Sequence, residues 1–187
     1  MSVQSNPKEL KDASKFMSLV LRHAPKIANL TLYNEGWTSV DQLLTGMAKK
    51  GIALTRQDLE YVVLNNDKSR FGFDSTGMKI RANQGHSLKV DLKLEATQPP
   101  AELYHGTHEG AVPLIQRDGL RKMKRHHVHL SSSIETASKV GSRSGHQVIF
   151  HFDAKAMADN GLLFYRSENG VWLTEHVPPA YLTIKLG

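Results

Sequence analysis

The sequence predicts an α+β protein, with helices gathered in its first half and strands in its second. Three observations carry this. Three capped helical stripes precede residue 65, and six strand candidates follow residue 101. Between them lies EATQPPAE (95–102), with two prolines and no strong periodicity. The expected division is a first lobe over 1–94, a linker over 95–101 and a second lobe over 102–187.

Asn6 can cap the first helix, with Pro7 at its first position and Glu9 completing a capping box. Leu10, Ala13, Met17 and Val20 form its apolar stripe, and Pro25 ends it. Ser39 and Gln42 form a second capping box, ahead of Val40, Leu43, Leu44 and Met47, with Gly51 as the stop. Thr55 caps a third helix carrying Leu59, Val62 and Val63. FGFDSTGMKIRA (71–82) reads as a hairpin around a Gly-containing turn. Three helices and a hairpin suggest a winged-helix arrangement.

The later strands are expected at 102–107, 127–131, 147–153, 162–167, 170–175 and 181–186. Short helices are expected near 110–117 and 133–140, the latter capped by Ser132 with Glu135. Strands that mostly follow one another argue against a doubly wound parallel sheet. VGSRSG (140–145) has the wrong glycine spacing for a dinucleotide fingerprint.

The chain of 187 residues is 40% hydrophobic and 22% charged, the balance of an ordinary globular protein. It has no cysteine, which excludes disulfides, thiolate nucleophiles and Cys-based metal sites. The N-terminus shows no apolar secretion segment and no run is long enough to span a membrane, so the expected location is the cytoplasm. Net charge is +6. Residues 1–95 carry 14 Lys and Arg against 10 Asp and Glu, and residues 96–187 carry 10 against 8. Both halves are mildly basic, which favours a polyanionic partner and also suits many soluble proteins.

Several segments could carry chemistry. LRHAP (21–25) puts Arg22 and His23 at a helix C-terminus, where cations complement the dipole or build an anion site. DKSRFGF (67–73) puts Arg70 at the hairpin entry, and IRANQGHS (80–87) follows with Arg81 and His86. Five basic residues and three histidines lie between Arg117 and His129. Alternation in HHVHLS lets His127 and His129 share a strand face. Three histidines could hold zinc, yet no partnered carboxylate or helical His spacing accompanies them. Arginine clusters suit phosphate better, through bidentate charge-assisted hydrogen bonds. LYHGT (103–107) places His105, Gly106 and Thr107 at a strand end, where Gly permits close approach of a ligand. Trp172, after an Asn-Gly turn, reads as core. Nucleophile elbow, P-loop and two-metal acidic cluster are all missing.

Together, LRHAP, GWTSVDQLL, DKSRFGF, IRANQGHS, LYHGT, RHHVHLS, VGSR and NGVWLT resemble the tRNA 2′-phosphotransferase family. They occur in family order from about residue 15 to 182, and the compact length resembles the bacterial members. The resemblance implies a winged-helix-like N-terminal lobe and an ADP-ribosyltransferase-like C-terminal lobe that binds NAD. It also implies a reaction in two steps. An internal RNA 2′-phosphate attacks the nicotinamide ribose of NAD and expels nicotinamide, giving an ADP-ribosylated RNA 2′-phosphate. The ribose 2″-hydroxyl then attacks that phosphate, releasing 2′-hydroxyl RNA and ADP-ribose 1″,2″-cyclic phosphate.

The family's Arg-His-Arg-Arg set maps onto Arg22, His23, Arg70 and Arg125. Arg81 also lies in a family-like motif, and Arg70 is preferred for its place in the KSRF run. The NAD side maps onto His105, Gly106 and Thr107, with His127, Leu130, Ser131 and Arg143 as further candidates. The implied partners are NAD, consumed as co-substrate, and tRNA-like RNA bearing an internal 2′-phosphate. No metal and no membrane are expected, and the chain is expected to be a monomer. Two other readings compete: an ADP-ribosyltransferase acting on another acceptor, such as a terminal phosphate, and a non-enzymatic winged-helix nucleic-acid binder. The second is weakened by Asp58 and Glu60, which stand against a single Arg56 on the third helix.

Overall fold

Helix α1 (Pro7–Arg22) begins with two reciprocal hydrogen bonds. The Asn6 side chain accepts from the Glu9 N–H at 3.0 Å, and the Glu9 carboxylate accepts from the Asn6 N–H at 3.0 Å. Its buried face is Leu10, Ala13, Met17, Val20 and Leu21. Pro25 disfavours helical geometry at Ala24, so α1 stops at Arg22 and Pro25 opens a short 3₁₀ turn, Pro25–Ala28. The computed structural model describes residues 6–66, 68–141 and 146–185. The chain divides into two compact units, Met1–Lys93 and Leu94–Gly187.

In the first unit, strand β1 (Thr38–Ser39) leads into helix α2 (Val40–Ala48). Ser39 Oγ accepts from the Gln42 N–H at 3.4 Å, a one-sided cap in place of the expected box. Helix α3 (Arg56–Leu64) has the full box, since Thr55 and Asp58 exchange backbone-to-side-chain bonds at 3.1 and 3.0 Å. Strands β2 (Phe71–Phe73) and β3 (Lys79–Ala82) form the hairpin, and β1 adds to the far side of β3. The register pairs Phe71 with Ala82, and Ile80 with both Phe73 and Thr38. Met17, Leu21, Leu43, Met47, Leu59 and Ile80 are fully buried in one core between the three helices and this sheet.

The second unit is built on strand β4 (Glu102–His108). After it come helix α4 (Val112–Asp118), β5 (Leu120–Arg121), β6 (Val128–Leu130) and helix α5 (Ile134–Gly141). Strand β7 (Gln147–Asp153), helix α6 (Ala154–Asp159), β8 (Phe164–Arg166), β9 (Trp172–Thr174), β10 (His176–Val177) and β11 (Leu182–Lys185) complete it. The sheets run β11-β7-β4, β6-β9-β8 and β10-β5, and every strand pairing among the described residues is antiparallel. Tyr104 and Ser131 exchange backbone hydrogen bonds at 2.8 Å, tying β4 to the end of β6. The molecule therefore mixes helices with several small antiparallel sheets. Trp172 lies in the core with Leu103, Leu130, Phe152 and Phe164. Among the described residues no helix is long and apolar enough to cross a membrane.

Some elements differ from expectation. The cap of α5 is Ser133, whose Oγ accepts from the Thr136 N–H at 3.3 Å, and not Ser132. Strands β5 and β10 pair with each other over two residues each, too short to show alternation. Helix α6 was not expected; Asp153 caps it by accepting from the Ala156 N–H at 2.7 Å. The stretch expected as a linker is hydrogen-bonded: Ala96 bridges Tyr165, and the Thr97 N–H donates to the Phe164 carbonyl at 2.8 Å.

Gly106 faces helix α5. A Cβ there would lie 1.8 Å from the Ala137 carbonyl oxygen and 2.9 Å from the Gly141 nitrogen. The neighbours are backbone and cannot swing aside. Gly106→Ala should therefore destabilise the protein by at least the upper end of the about 1–3 kcal/mol typical of overpacking. Urea unfolding of the variant and the parent checks this; an unchanged midpoint would refute it.

Candidate functional site

Arg22 is the last residue of α1 and His23 its C-cap. The segment after β3 closes on this end. The Ser87 N–H donates to the Arg22 carbonyl at 3.0 Å, and Ser87 Oγ lies 2.9 Å from His23 Nδ1. Gly85 adopts φ +86, and a Cβ on it would approach Arg22 Nη1 to 3.6 Å. IRANQGHS thus docks on LRHAP. Arg22 Nε and Nη2 are shut off from solvent, while the His23 ring is exposed.

Arg70 directly precedes β2. Its Nη1 donates to Asn66 Oδ1 at 2.8 Å, and Asn66 Nδ2 donates to Ser14 Oγ at 3.2 Å. Buried Asn83 fixes the backbone beneath it, donating from its N–H to the Arg70 carbonyl at 2.9 Å and from Nδ2 to the Ser69 carbonyl at 2.7 Å. Those bonds hold Ser69 at φ +40. Arg22 and Arg70 meet in one groove of about 690 Å³ between α1 and α3. Lys11 and Lys15 also line it, with Ser14, Ser18, Asn65 and Asn66, and none of its lining among the described residues is a carboxylate. This is an anion site by composition. Arg81 is placed differently: it is buried, bonded to Glu35 Oε2 at 2.9 Å and stacked 4.5 Å over the Trp37 ring.

In the second unit, alternation along β4 puts His105 and Thr107 on the face opposite Gly106. His105 Nδ1 lies 3.0 Å from the His129 carbonyl, so Nδ1–H is the donor and Nε2 carries the lone pair. Burial pushes the His105 pKa below the usual histidine range. The His129 carbonyl opposes that shift, and the Arg125 charge adds to it. Arg125 is exposed, in a turn where its N–H donates to the Lys122 carbonyl at 3.0 Å.

His127 packs on Tyr165 with ring centroids 5.3 Å apart, and its Nε2 is 3.9 Å from Glu175. Burial lowers its pKa and Glu175 opposes that. The Leu130 side chain is in the core, and Ser131 is bonded to Tyr104 through its backbone. Arg143 lies outside the described residues. No three His, Asp or Glu side chains among the described residues gather as a metal site would require.

The structure thus places Arg22 and Arg70 on one groove of the first unit, and Arg125 in the second, where its charge bears on His105. Asn66, Asn83 and Ser87, which hold these groups, are not among the expected site residues, although IRANQGHS contains the last two. The one local signal was the adjacent Asn65 and Asn66 past the end of α3, where helix-stop residues are common. A sequence model of the RNA 2′-phosphotransferase, Tpt1 / KptA family matches residues 8–176. The chain belongs to this family. Its relatives include a protein of Trichormus variabilis, 56% identical over 169 residues, covering 90% of this chain and 93% of the relative. One from Hahella chejuensis is 49% identical over 177 residues, 95% of each chain. One from Flavobacterium johnsoniae is 50% identical over 175 residues, 94% of this chain and 96% of the relative. Each of the three is named "Probable RNA 2′-phosphotransferase".

The two depressed imidazoles make stability depend on pH in this family member. Their pKa values when folded lie below the about 6.5 of the unfolded chain, so the unfolded state takes up protons first as pH falls. Stability from these groups is complete above about pH 6.5 and is lost as pH falls from there through the folded values. Urea unfolding across this range should show a falling midpoint, with a shallower fall in His105→Gln. Equal slopes for variant and parent would remove His105 from the explanation.

Proposed function

We propose that the chain is an NAD-dependent RNA 2′-phosphotransferase, moving an internal RNA 2′-phosphate onto NAD. The observation that carries the reading is the groove that Arg22 and Arg70 both line, with Lys11 and Lys15 beside them and no carboxylate among its described lining residues. A phosphate dianion needs fixed, partly desolvated cations, and an acidic side chain among them would cancel the effect. Family membership supplies the substrate class.

In step one the RNA 2′-phosphate oxygen bonds to the ribose C1″ of NAD and nicotinamide leaves with its bonding electrons. The phosphate is already a nucleophile, so a strong general base is dispensable. The role of Arg22 and Arg70 is to hold it in place. In step two the ribose 2″-oxygen bonds to phosphorus and the bond to the RNA 2′-oxygen breaks. The 2″-hydroxyl gives up a proton and the RNA 2′-oxygen gains one. Negative charge grows on the phosphoryl oxygens, and guanidinium donors stabilise it. The resemblance to the family assigns Arg125 a guanidinium role in this step as well. His23, bonded to Ser87, is suited to position the phosphate or pass a proton.

His105 and its strand fit the NAD side of this reading. A buried neutral imidazole, fixed in one tautomer, can accept a hydrogen bond without adding charge. We propose a winged-helix-like first lobe, supported by three helices, a hairpin and the extra strand β1, and an ADP-ribosyltransferase-like second lobe. The plain winged-helix binder is disfavoured. Arg56, the arginine of α3, is spent on Glu60 at 2.8 Å and the Gly77 carbonyl at 2.7 Å.

Incubation with an oligonucleotide bearing one internal 2′-phosphate should release 2′-hydroxyl RNA and ADP-ribose cyclic phosphate, and only when NAD is present. Phosphate loss without NAD, or none with it, refutes the proposal. Arg70→Ala and Arg125→Ala should each slow turnover by about 10²–10³, the usual effect of deleting a transition-state donor. Both should accumulate ADP-ribosylated RNA, visible as a gel-shifted band. Full activity in both variants would show that the phosphate is held elsewhere.

A further inference from the structure

The α1–α3 groove continues well past its two arginines. On α1 it is faced by Lys11, Ser14, Lys15, Ser18 and Arg22, a stripe at helical spacing away from the buried face. Across from it, α3 presents Tyr61, which is 43% exposed, and its C-cap Asn65. Between Lys11 and Arg22 the helix rises about 16 Å. A stacked strand places a phosphate about every 3.4 Å along its axis, so the groove has room for several nucleotides.

Its surface has the mixture that single strands need. Among the described residues the lining carries Lys11, Lys15, Arg22 and Arg70 and no carboxylate. Asp12, outside the lining, pairs with Lys15 at 2.8 Å, but both side chains are exposed and so weak a pair yields to a phosphate. The floor is short and fixed: Ser18 Oγ donates to the Ser14 carbonyl at 2.9 Å, and Ser14 Oγ accepts from Asn66. These serines leave the channel open between long cationic side chains. Positive charge along a groove with an exposed ring on one wall is how proteins hold single-stranded nucleic acid, backbone on the cations and base on the ring. A duplex hides its base faces and offers Tyr61 nothing to stack on.

We propose that the α1–α3 groove is the track for the single RNA strand leading into Arg22 and Arg70, with Lys11 and Lys15 on its phosphates and the Tyr61 ring against one of its bases. The inference rests on the proposed function for its direction, and the two can fail separately. Turnover of 2′-phosphorylated RNA by the wild-type chain tests the reaction; binding of an RNA that lacks the 2′-phosphate tests the track.

The test uses fluorescence anisotropy of the full chain with a single-stranded RNA decamer carrying no 2′-phosphate, over a range of salt. For Lys11→Gln/Lys15→Gln the plot of log affinity against log salt should be shallower by about 1.4, or 0.7 per lost phosphate contact. Tyr61→Ala should bind about tenfold more weakly, the order expected for one lost base stack. Tyr61→Leu, which keeps an apolar side chain of similar reach, should show the same loss with an unchanged circular dichroism spectrum. Lys49→Gln/Lys50→Gln, beyond the end of α2, should leave the slope as it is. Wild-type affinity and slope in the groove variants would overturn the proposal, as would tighter binding of the duplex decamer than of the single strand.

Discussion

The first unit depends on how the end of α1 is closed. The last carbonyls of a helix have no partner within it, and burial without one is costly. Here the Arg22 carbonyl accepts from the Ser87 N–H, and the His23 ring is bonded to Ser87 Oγ. One residue of the segment after β3 thus completes the helix and fixes the two residues at its tip. Gly85, with its positive φ, lets that segment lie against the Arg22 guanidinium. The far end of α1 is fixed by the Asn6–Glu9 box. A helix secured at both ends can present a straight row of polar side chains on its outer face.

Charge pairing then distinguishes the arginines. Arg81 is neutralised by Glu35 and covered by Trp37, and Arg56 by Glu60. These two guanidiniums stabilise the fold and have little capacity left for an anion. Arg70 is held by a neutral amide, Asn66. An amide orients a guanidinium without cancelling its charge, whereas a carboxylate does both. The same logic extends to His105, which is anchored by a carbonyl and kept neutral by burial. Exposed pairs such as Lys155–Asp159 have little bearing on either unit.

Much of the fold was legible because its signals are local. Asn6-Pro7 with Glu9, and Thr55 before α3, are chemical start marks that work within one helical turn. β4 and β7 are legible because each runs for seven residues, β7 with the apolar run Val148–Phe150 at its centre. What was illegible depends on partners distant in sequence. β5 and β10 exist because each completes the other across the second unit. Three consecutive serines, 131–133, left the cap of α5 ambiguous by one residue. The boundary stretch looked like a tether because prolines mark it, yet Thr97 bonds to Phe164. Asn66 and Asn83 carried no signal of this role, since a polar residue in a loop becomes a support only when an arginine is folded onto it.

Gly106 illustrates how one position can carry a structural demand that its sequence context does not show. In sequence it suggested room for a ligand beside the backbone. In the structure that room is filled by α5, whose Ala137 carbonyl sits where a Cβ would be. Gly141 makes the reciprocal approach to Thr107, with 2.9 Å from its own would-be Cβ to the Thr107 oxygen. The glycines bring helix and strand into backbone contact, and this pins β4 from one side. Because strand side chains alternate, pinning that face leaves the His105–Thr107 face to be positioned without further support. His105 then needs a single bond, from Nδ1 to the His129 carbonyl, to settle its tautomer. A residue chosen for packing on one face of a strand thereby sets the chemistry available on the other.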